Sequence, residues 1–364
     1  MANWQEIRRD FSITQHSTYL DHAAGGPIPR PVFEVIQQFQ RENADGADFH
    51  WLKWMKQRDE AREITARFIG AEPEEVAFIS SASHGMNLAA ELLADQGKVL
   101  INESEFPSSA VPWLWRKAKV EWSQAPLDLK FSKSFPKEIK TIVTSYVHYA
   151  SGRRQDIELL GKNKGKRFLV VNATQGLGAL QVNARKWNAD MICSNSYKWM
   201  MAGYGGGIFY IRKPLLEKFR PSGAGWRSMT DSDLMRNKNI KMKNHAERYE
   251  WGCANFSAMF AFAAAARYFS QIGISAVEKR VLDLADFLIQ ELIKRKFKIL
   301  SPVEKEFRSG IVVFQVDHSV RVWKKLLSKK IYVSPRGGGL RVAPHFYNTE
   351  EEIEFFLDEL VQLL

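Results

Sequence analysis

The chain reads as an α/β protein: a large domain on a mostly parallel seven-stranded sheet with helices on both faces, then a smaller α+β C-terminal domain. Three observations predict this. From about residue 75 to 211, short runs rich in β-branched and aromatic residues alternate with helical or loop segments. After residue 256 the pattern shifts to long amphipathic helices interrupted by single strand-like runs. A length of 364 residues exceeds what one hydrophobic core usually serves, so one large and one smaller domain is the natural division.

In order, the candidate strands are "EVAFIS", "KVLIN", "KVEWS", "TIVTS", "RFLVV", "DMICS" and "GIFYI". Helical patterns such as "GMNLAAELLADQ" and "AVPWLWRKA" fit between several of them, and strands separated by crossovers of that length imply parallel pairing. Ligands on such sheets sit beyond the carboxyl ends of the strands. That rule makes "ISSASHG", "NESEFPSS", "SYVHYASG", "NATQ" and "SNSYK" converge on one crevice.

Downstream, "AVEKRVLDLADFLIQELIKRKF" predicts a long helix, "GIVVFQV" a strand, "VRVWKKLL" a helix and "EEEIEFFLDELVQLL" a closing helix. Thr349 and Glu352 stand at capping-box spacing before that last helix. The expected domains are 18–255 and 256–364, the second joined by residues 1–17.

Composition narrows the function class. Hydrophobic content of 45% with mixed charge marks a globular chain. The N-terminus "MANWQEIRRDFSITQHS" has no apolar h-region, and "MFAFAAAARYF" is too short to span a bilayer, so no membrane association is expected. Cys193 and Cys253 are too few for a disulfide framework or a structural zinc site, which fits a cytoplasmic setting and no metal. The net charge of +11 invites a nucleic-acid reading, but the basic residues are scattered among loop segments such as "KNKGKR" and "KNKNIKMK". A solvated surface or an anionic ligand accounts for them better.

Two residues carry most of the chemistry. Lys198, in "NSYKWMMAGYGGG", stands just past a strand end; by itself it could be surface charge. "SASHG" opens a helix with small residues, so the backbone N–H groups of Ala82, Ser83 and His84 could bind a phosphate, although an ordinary Ser cap reads the same way. A Schiff-base lysine, a phosphate nest and a partner for a ring nitrogen form the minimum constellation for pyridoxal 5′-phosphate (PLP).

In that order and spacing, "YLDHAAGGP", "SSASHGMNLAA", "NESEFPSSAVPW", "SYVHYASGRRQD", "VVNATQGLGALQVN", "NSYKW", "RYEWGCANF" and "LRVAPHFYNTEEEIE" resemble the class V aminotransferase family of fold-type I PLP-dependent transferases. The likeness covers nearly the whole chain and is nearest to the isopenicillin-N-epimerase-like and cysteine-desulfurase-like branches. It implies PLP on Lys198, an amino acid or related amine as substrate, aminotransferase, epimerase or lyase chemistry, and a homodimer with active sites near the interface. It also implies that Ser83 and its neighbouring amides hold the phosphate, with Asn195 and Tyr197 completing the nest. Thr174 and Gln175 would lie along the ring, Gln175 near the phenolate oxygen, and Phe106 would cover one ring face. Arg336 would grip the substrate carboxylate, with Arg341 in a structural or secondary role. His22 and Ala24 resemble a loop that reaches over the substrate, and Cys253 stands where relatives carry a Thr that donates to the partner subunit's phosphate.

Asn172 departs from the pattern. Relatives place an Asp there, whose carboxylate keeps the pyridine nitrogen protonated; a neutral amide supplies no such charge. Three readings follow: an enzyme whose step tolerates a weaker electron sink, a binding or regulatory protein that has lost catalysis, or compensation by another acid. A second departure is the lack of any Cys between "GIVVFQV" and Arg336, which argues against desulfurase chemistry through a loop cysteine.

Overall fold

A computed structural model describes residues 2–131, 133–238 and 240–364. All seven expected strands form and join one sheet. They are β1 (Val76–Ile79), β2 (Lys98–Asn102), β3 (Val120–Ser123), β4 (Ile139–Ser145), β5 (Phe168–Asn172), β6 (Met191–Asn195) and β7 (Gly207–Ile211). Their order across the sheet is β3-β2-β4-β5-β6-β7-β1. Only β7 runs against its neighbours; the pairs from β3 to β6 are parallel.

The strands read as nearly continuous apolar runs because both faces are buried. Side chains alternate between two cores. Val76, Phe78, Leu100, Ile142, Leu169, Val171, Ile192 and Ile208 face one. Ala77, Ile79, Val99, Ile101, Val143, Val170, Met191 and Phe209 face the other. Burying such a side chain contributes roughly 1.5–3 kcal/mol, so truncating Ile142 to Ala costs about 2–5 kcal/mol.

The first core is roofed by α1 (Arg30–Gly46), α2 (Trp51–Phe68) and a later helix; the second by α3 (Ala82–Leu93) and α4 (Pro107–Trp115). Gly85 lets α3 lie close on β6, since a Cβ there would stand 2.7 Å from the Cys193 sulfur. The later helix is α5 (Phe256–Ile272), which packs on α1 and α2. The domain boundary expected at 255/256 therefore precedes a helix that belongs with the large sheet's core. The reason is its apolar circumference: Met259, Phe260, Phe262, Ala266 and Phe269 are all buried.

Beyond Gly273 the separate core of the smaller unit takes over. It contains α6 (Ile274–Lys294), β8 (Val312–Phe314), α7 (Ser319–Ser328), β9 (Ser334–Arg336), β10 (Gly339–Val342) and α8 (Glu350–Leu363). The strands form an antiparallel sheet in the order β9-β10-β8. The expected capping box is present: Glu352 N–H donates to Thr349 Oγ1 (3.3 Å), and Thr349 N–H donates to Glu352 Oε2 (3.0 Å). The N-terminal residues fold back on the end of the chain: Phe11 stacks 3.9 Å from Tyr347, both in the first core, and Arg8 pairs with Glu352 of α8 at 2.7 Å. Thr18–Tyr19 then runs parallel to Ile331–Tyr332 and delivers the "LDHAAGG" turn to the sheet edge.

Candidate active site

The parallel register gathers the strand ends on one edge. Ser145 pairs with Asn172 across β4 and β5, while Asn195 and Ile79 flank Gly207 from its two sides. Gly26 brings the N-terminal loop against this edge, its N–H donating to Tyr197 O at 2.8 Å. A Cβ there would stand 2.3 Å from Lys198 O, so only glycine permits the approach.

Lys198 follows β6 in a tight turn and is half-buried. Its Nζ lies 5.7 Å from the Phe106 ring centroid and 5.9 Å from that of Tyr197. Among the described residues it has neither a hydrogen bond nor an ion pair. Burial, helped by the Arg341 and Arg336 charges and opposed by Asp21, lowers its pKa from 10.5 to about 8. An amine with no partner and a depressed pKa is fitted to nucleophilic and acid–base work at neutral pH.

Asn172 ends β5 buried, and its amide orientation is fixed. Thr174 N–H, which can only donate, meets Asn172 Oδ1 at 3.1 Å; Asn172 Nδ2 therefore donates to Ser109 Oγ at 3.0 Å. Thr174 Oγ1 in turn accepts from Asn195 N–H at 3.4 Å. Gln175 is oriented by the same logic. Its Oε1 accepts from Trp199 Nε1–H (2.8 Å) and its Nε2 donates to Ala23 O (2.9 Å), leaving one amide hydrogen for an oxygen ligand.

The expected phosphate nest is narrower than the sequence suggests. Ala82 N–H is taken by Asn195 Oδ1 (2.6 Å), and His84 N–H by the N-cap hydroxyl of Ser81 (3.2 Å). Both close because helix starts recruit nearby side-chain oxygens for their orphan donors. Ser83 keeps an N–H without a partner among the described residues, and its Oγ sits 2.7 Å from that of Ser108. This pair of hydroxyls, not foreseen for Ser108, stands beside the free N–H. Tyr197 stacks on Tyr204 with centroids 4.4 Å apart. Cys253 is exposed and lines a cavity with Ser80, His84 and Trp251 that Lys198 does not reach.

From the smaller unit come two guanidinium groups. Arg336, at the end of β9, is exposed and has no ion pair among the described residues. Arg341 is buried; it donates to Tyr149 O (3.1 Å) and Asp21 Oδ1 (3.3 Å), while its Nε finds no partner. Ser334 Oγ holds the other Asp21 oxygen at 2.5 Å. Burial and the Arg336 charge lower the Arg341 pKa, against the pull of Asp21.

His22 is corrected. Its ring is wholly buried, with Nδ1 donating to Ala343 O (3.0 Å) and Nε2 accepting from Tyr347 O–H (3.0 Å). Burial lowers its pKa to about 3, so it is a neutral strut beneath the loop and offers nothing to a substrate. Ala24 is exposed on that loop, its N–H donating to Asp21 O at 3.0 Å.

These residues fit PLP on their own chemistry: an unpartnered amine between two rings, a free helix N–H beside two hydroxyls, and an amide hydrogen from Gln175. Fold and site together define a fold-type I, PLP-dependent enzyme. The model of the family described as Aminotransferase class-V matches residues 18–356, and the chain belongs to that family.

Among its relatives, a probable cysteine desulfurase of Pyrococcus abyssi is 29% identical, the match covering 99% of this chain and 97% of that one. The isopenicillin N epimerase of Amycolatopsis lactamdurans is 23% identical over 99% and 98% of the two chains. Among solved structures, the apo cysteine desulfurase of Thermococcus onnurineus superposes with a TM-score of 0.89 at 26% identity, covering 100% of this chain and 98% of that one.

Proposed function

We propose that this enzyme acts at the Cα of an amino acid or closely related amine, with Lys198 as the amine that carries PLP and then moves the Cα proton. When bound, PLP supplies an electron sink for the bonds at Cα. The chain does the rest. Arg336, free of any carboxylate of its own, pairs with the substrate carboxylate, and Arg341, clamped by Asp21 and Tyr149 O, holds the adjoining wall. Phe106 presents a ring face, and Ser83 with Asn195 and Tyr197 borders the phosphate end. The carrying observation is the Lys198 amine, unpartnered and half-buried, beside two arginines and one carboxylate.

Transamination, epimerisation and lyase chemistry all begin with that proton. The desulfurase names of relatives are not carried over: residues 311–336 contain no Cys, and Cys193 is sealed inside β6, its thiol pushed up by burial. A second reading, a PLP-binding protein without turnover, is favoured by Asn172 alone. Deuterium exchange at Cα, followed by NMR across a panel of amino acids, separates the two. Exchange with at least one amino acid supports the enzyme, and none with any of them selects the binder.

The proposed assembly is a homodimer. Phe49, Leu52, Trp226, Met235 and Ile240 are exposed apolar side chains around the place where Arg227 packs on Trp51 and Trp226. Light scattering on the purified protein reads the assembly directly, and a monomer at micromolar concentration would overturn it.

A further inference from the structure

We propose that the basic groove beside α7 is a docking site for an acidic segment of another protein, held next to the arm that carries Arg336. The inference is independent of the cofactor reading.

Two depressions, of about 830 and 620 Å³, flank the loop between β8 and α7. They share Val316, Asp317, Arg321 and Lys325, and so form one groove. Five cations line it: Arg321, Lys324 and Lys325 from α7, and Lys296 and Lys298 from the chain leaving α6. All five are exposed. Asp317 is the single acidic side chain in the lining. Lys298 is fixed on its wall by Gln315 N–H, which donates to Lys298 O at 2.9 Å.

Exposed lysines are ordinary; what these five cations lack is a counter-ion. Cations on either side in sequence have one: Lys294 and Arg295 pair with Glu291, and Lys329 pairs with Glu359. Among the described residues, none of the five has an ion pair. The arrangement also works against the helix. Arg321, Lys324 and Lys325 stand at i, i+3 and i+4, opposite the buried Val322 and Leu326, and like charges at that spacing repel. Folding gains nothing from this face, whereas a bound polyanion relieves it.

The rest of the lining selects a protein. Val316 is buried in the floor, Val320 is exposed at the rim, and Phe297 lies half-buried between the two lysines of the far wall. Cationic walls over an apolar floor suit a segment that mixes carboxylates with apolar side chains. Single strands of nucleic acid bind instead through exposed rings on which bases stack. Phe297, the one Phe, Tyr or Trp in the lining, is engaged with Phe314, at 72° and 5.2 Å between centroids, and offers no such platform. Gly338, in the turn between β9 and β10, lines the same groove two residues from Arg336. A docked segment therefore lies beside the arm that presents Arg336.

The test measures binding of a fluorescein-labelled peptide of Glu and Leu to the full-length holoprotein by anisotropy, at low and at physiological salt. Wild type should bind, with affinity falling as salt rises. Arg321→Glu with Lys325→Glu should weaken binding at least about tenfold. Lys140→Glu with Lys186→Glu, which reverses two exposed charges on the large unit, should change it less than about twofold. Should the first pair not fold, Arg321→Gln with Lys325→Gln carries the same prediction at smaller size. Lys325→Gln alone should keep or raise the unfolding midpoint, since it removes a repulsion; a clear fall would make the α7 charges structural and overturn the proposal. No binding at low salt, or equal losses in the two pairs of reversals, would overturn it too. So would tighter binding of a single-stranded RNA of equal charge, or displacement of the peptide by inorganic tripolyphosphate at equal charge concentration, because either assigns the groove to another ligand.

Discussion

Two clusters of charge lie within this molecule, and they differ in how completely each is paired. Under α2, Arg62 grips Glu250 through two bonds of 2.5 and 3.0 Å, Arg58 meets Glu247 at 3.1 Å, and Lys243 bonds the same Glu247. Glu250 also takes Phe78 N–H at 2.8 Å, which ties the cluster to β1. Every ion there has its counter-ion within the chain. In the crevice, Lys198 and Arg336 have no ion pair among the described residues, and Asp21 is committed to Arg341 and Ser334. Saturated buried charge holds a fold together; unsaturated charge waits for a ligand.

The contrast can be broken by exchanging a residue on each side. Lys198→Ala should lower the rate of Cα proton exchange by about 10³-fold or more. It should leave thermal stability unchanged or raised, since it deletes a half-buried cation that has no partner. A clear loss of stability would place Lys198 with the structural ions. Glu250→Gln should do the reverse, lowering the unfolding midpoint by an amount equivalent to about 3–5 kcal/mol, because it strands Arg62 without its partner. Unaltered melting of Glu250→Gln would remove the distinction between the clusters.

Arg336→Ala sharpens the comparison within the crevice. Losing one partner of a charge pair formed with substrate should weaken amino-acid binding by roughly 2–5 kcal/mol, with PLP affinity unchanged. Equal losses of the two affinities would make Arg336 structural, and no loss would end its carboxylate role.

The smallest effect is on pH. Burial lowers Lys198 from 10.5 to about 8, so the amine is neutral and nucleophilic above that value. Stopped-flow uptake of PLP by apo-protein should fall about tenfold for each pH unit below about 8 and level off above it. Between about 8 and 10.5 the unfolded chain holds a proton that the folded one has released, so this group makes apo-protein more stable as pH rises. A break in uptake near 10.5 would mean that the amine is unperturbed.

Local signals carried most of the fold. The seven strands were legible because each is a short β-branched or aromatic run with polar ends, and the rule about carboxyl ends then put Asn172, Asn195 and Lys198 on one edge. The closing helix was legible from Thr349 and Glu352. What failed depended on contacts distant in sequence. Ala82 N–H is consumed by Asn195, 113 residues away, and His22 is locked by Tyr347, 325 residues away. Glu105, beside Phe106, is not singled out by the sequence because only the fold brings the N–H and O–H of Ser145, 40 residues away, onto its carboxylate. Its one visible sign was a carboxylate in "NESEF" at the end of an apolar strand. Helix α5's place on the large sheet is not legible in the sequence, because its composition does not reveal which core it joins.

The proposed chemistry turns on which amine holds the cofactor, and chemical trapping answers that directly. Holoenzyme reduced with borohydride and digested should yield a pyridoxyl group on the peptide that carries Lys198, with no comparable label on any other lysine. Label on a different lysine, or none after reconstitution with PLP, would contradict it.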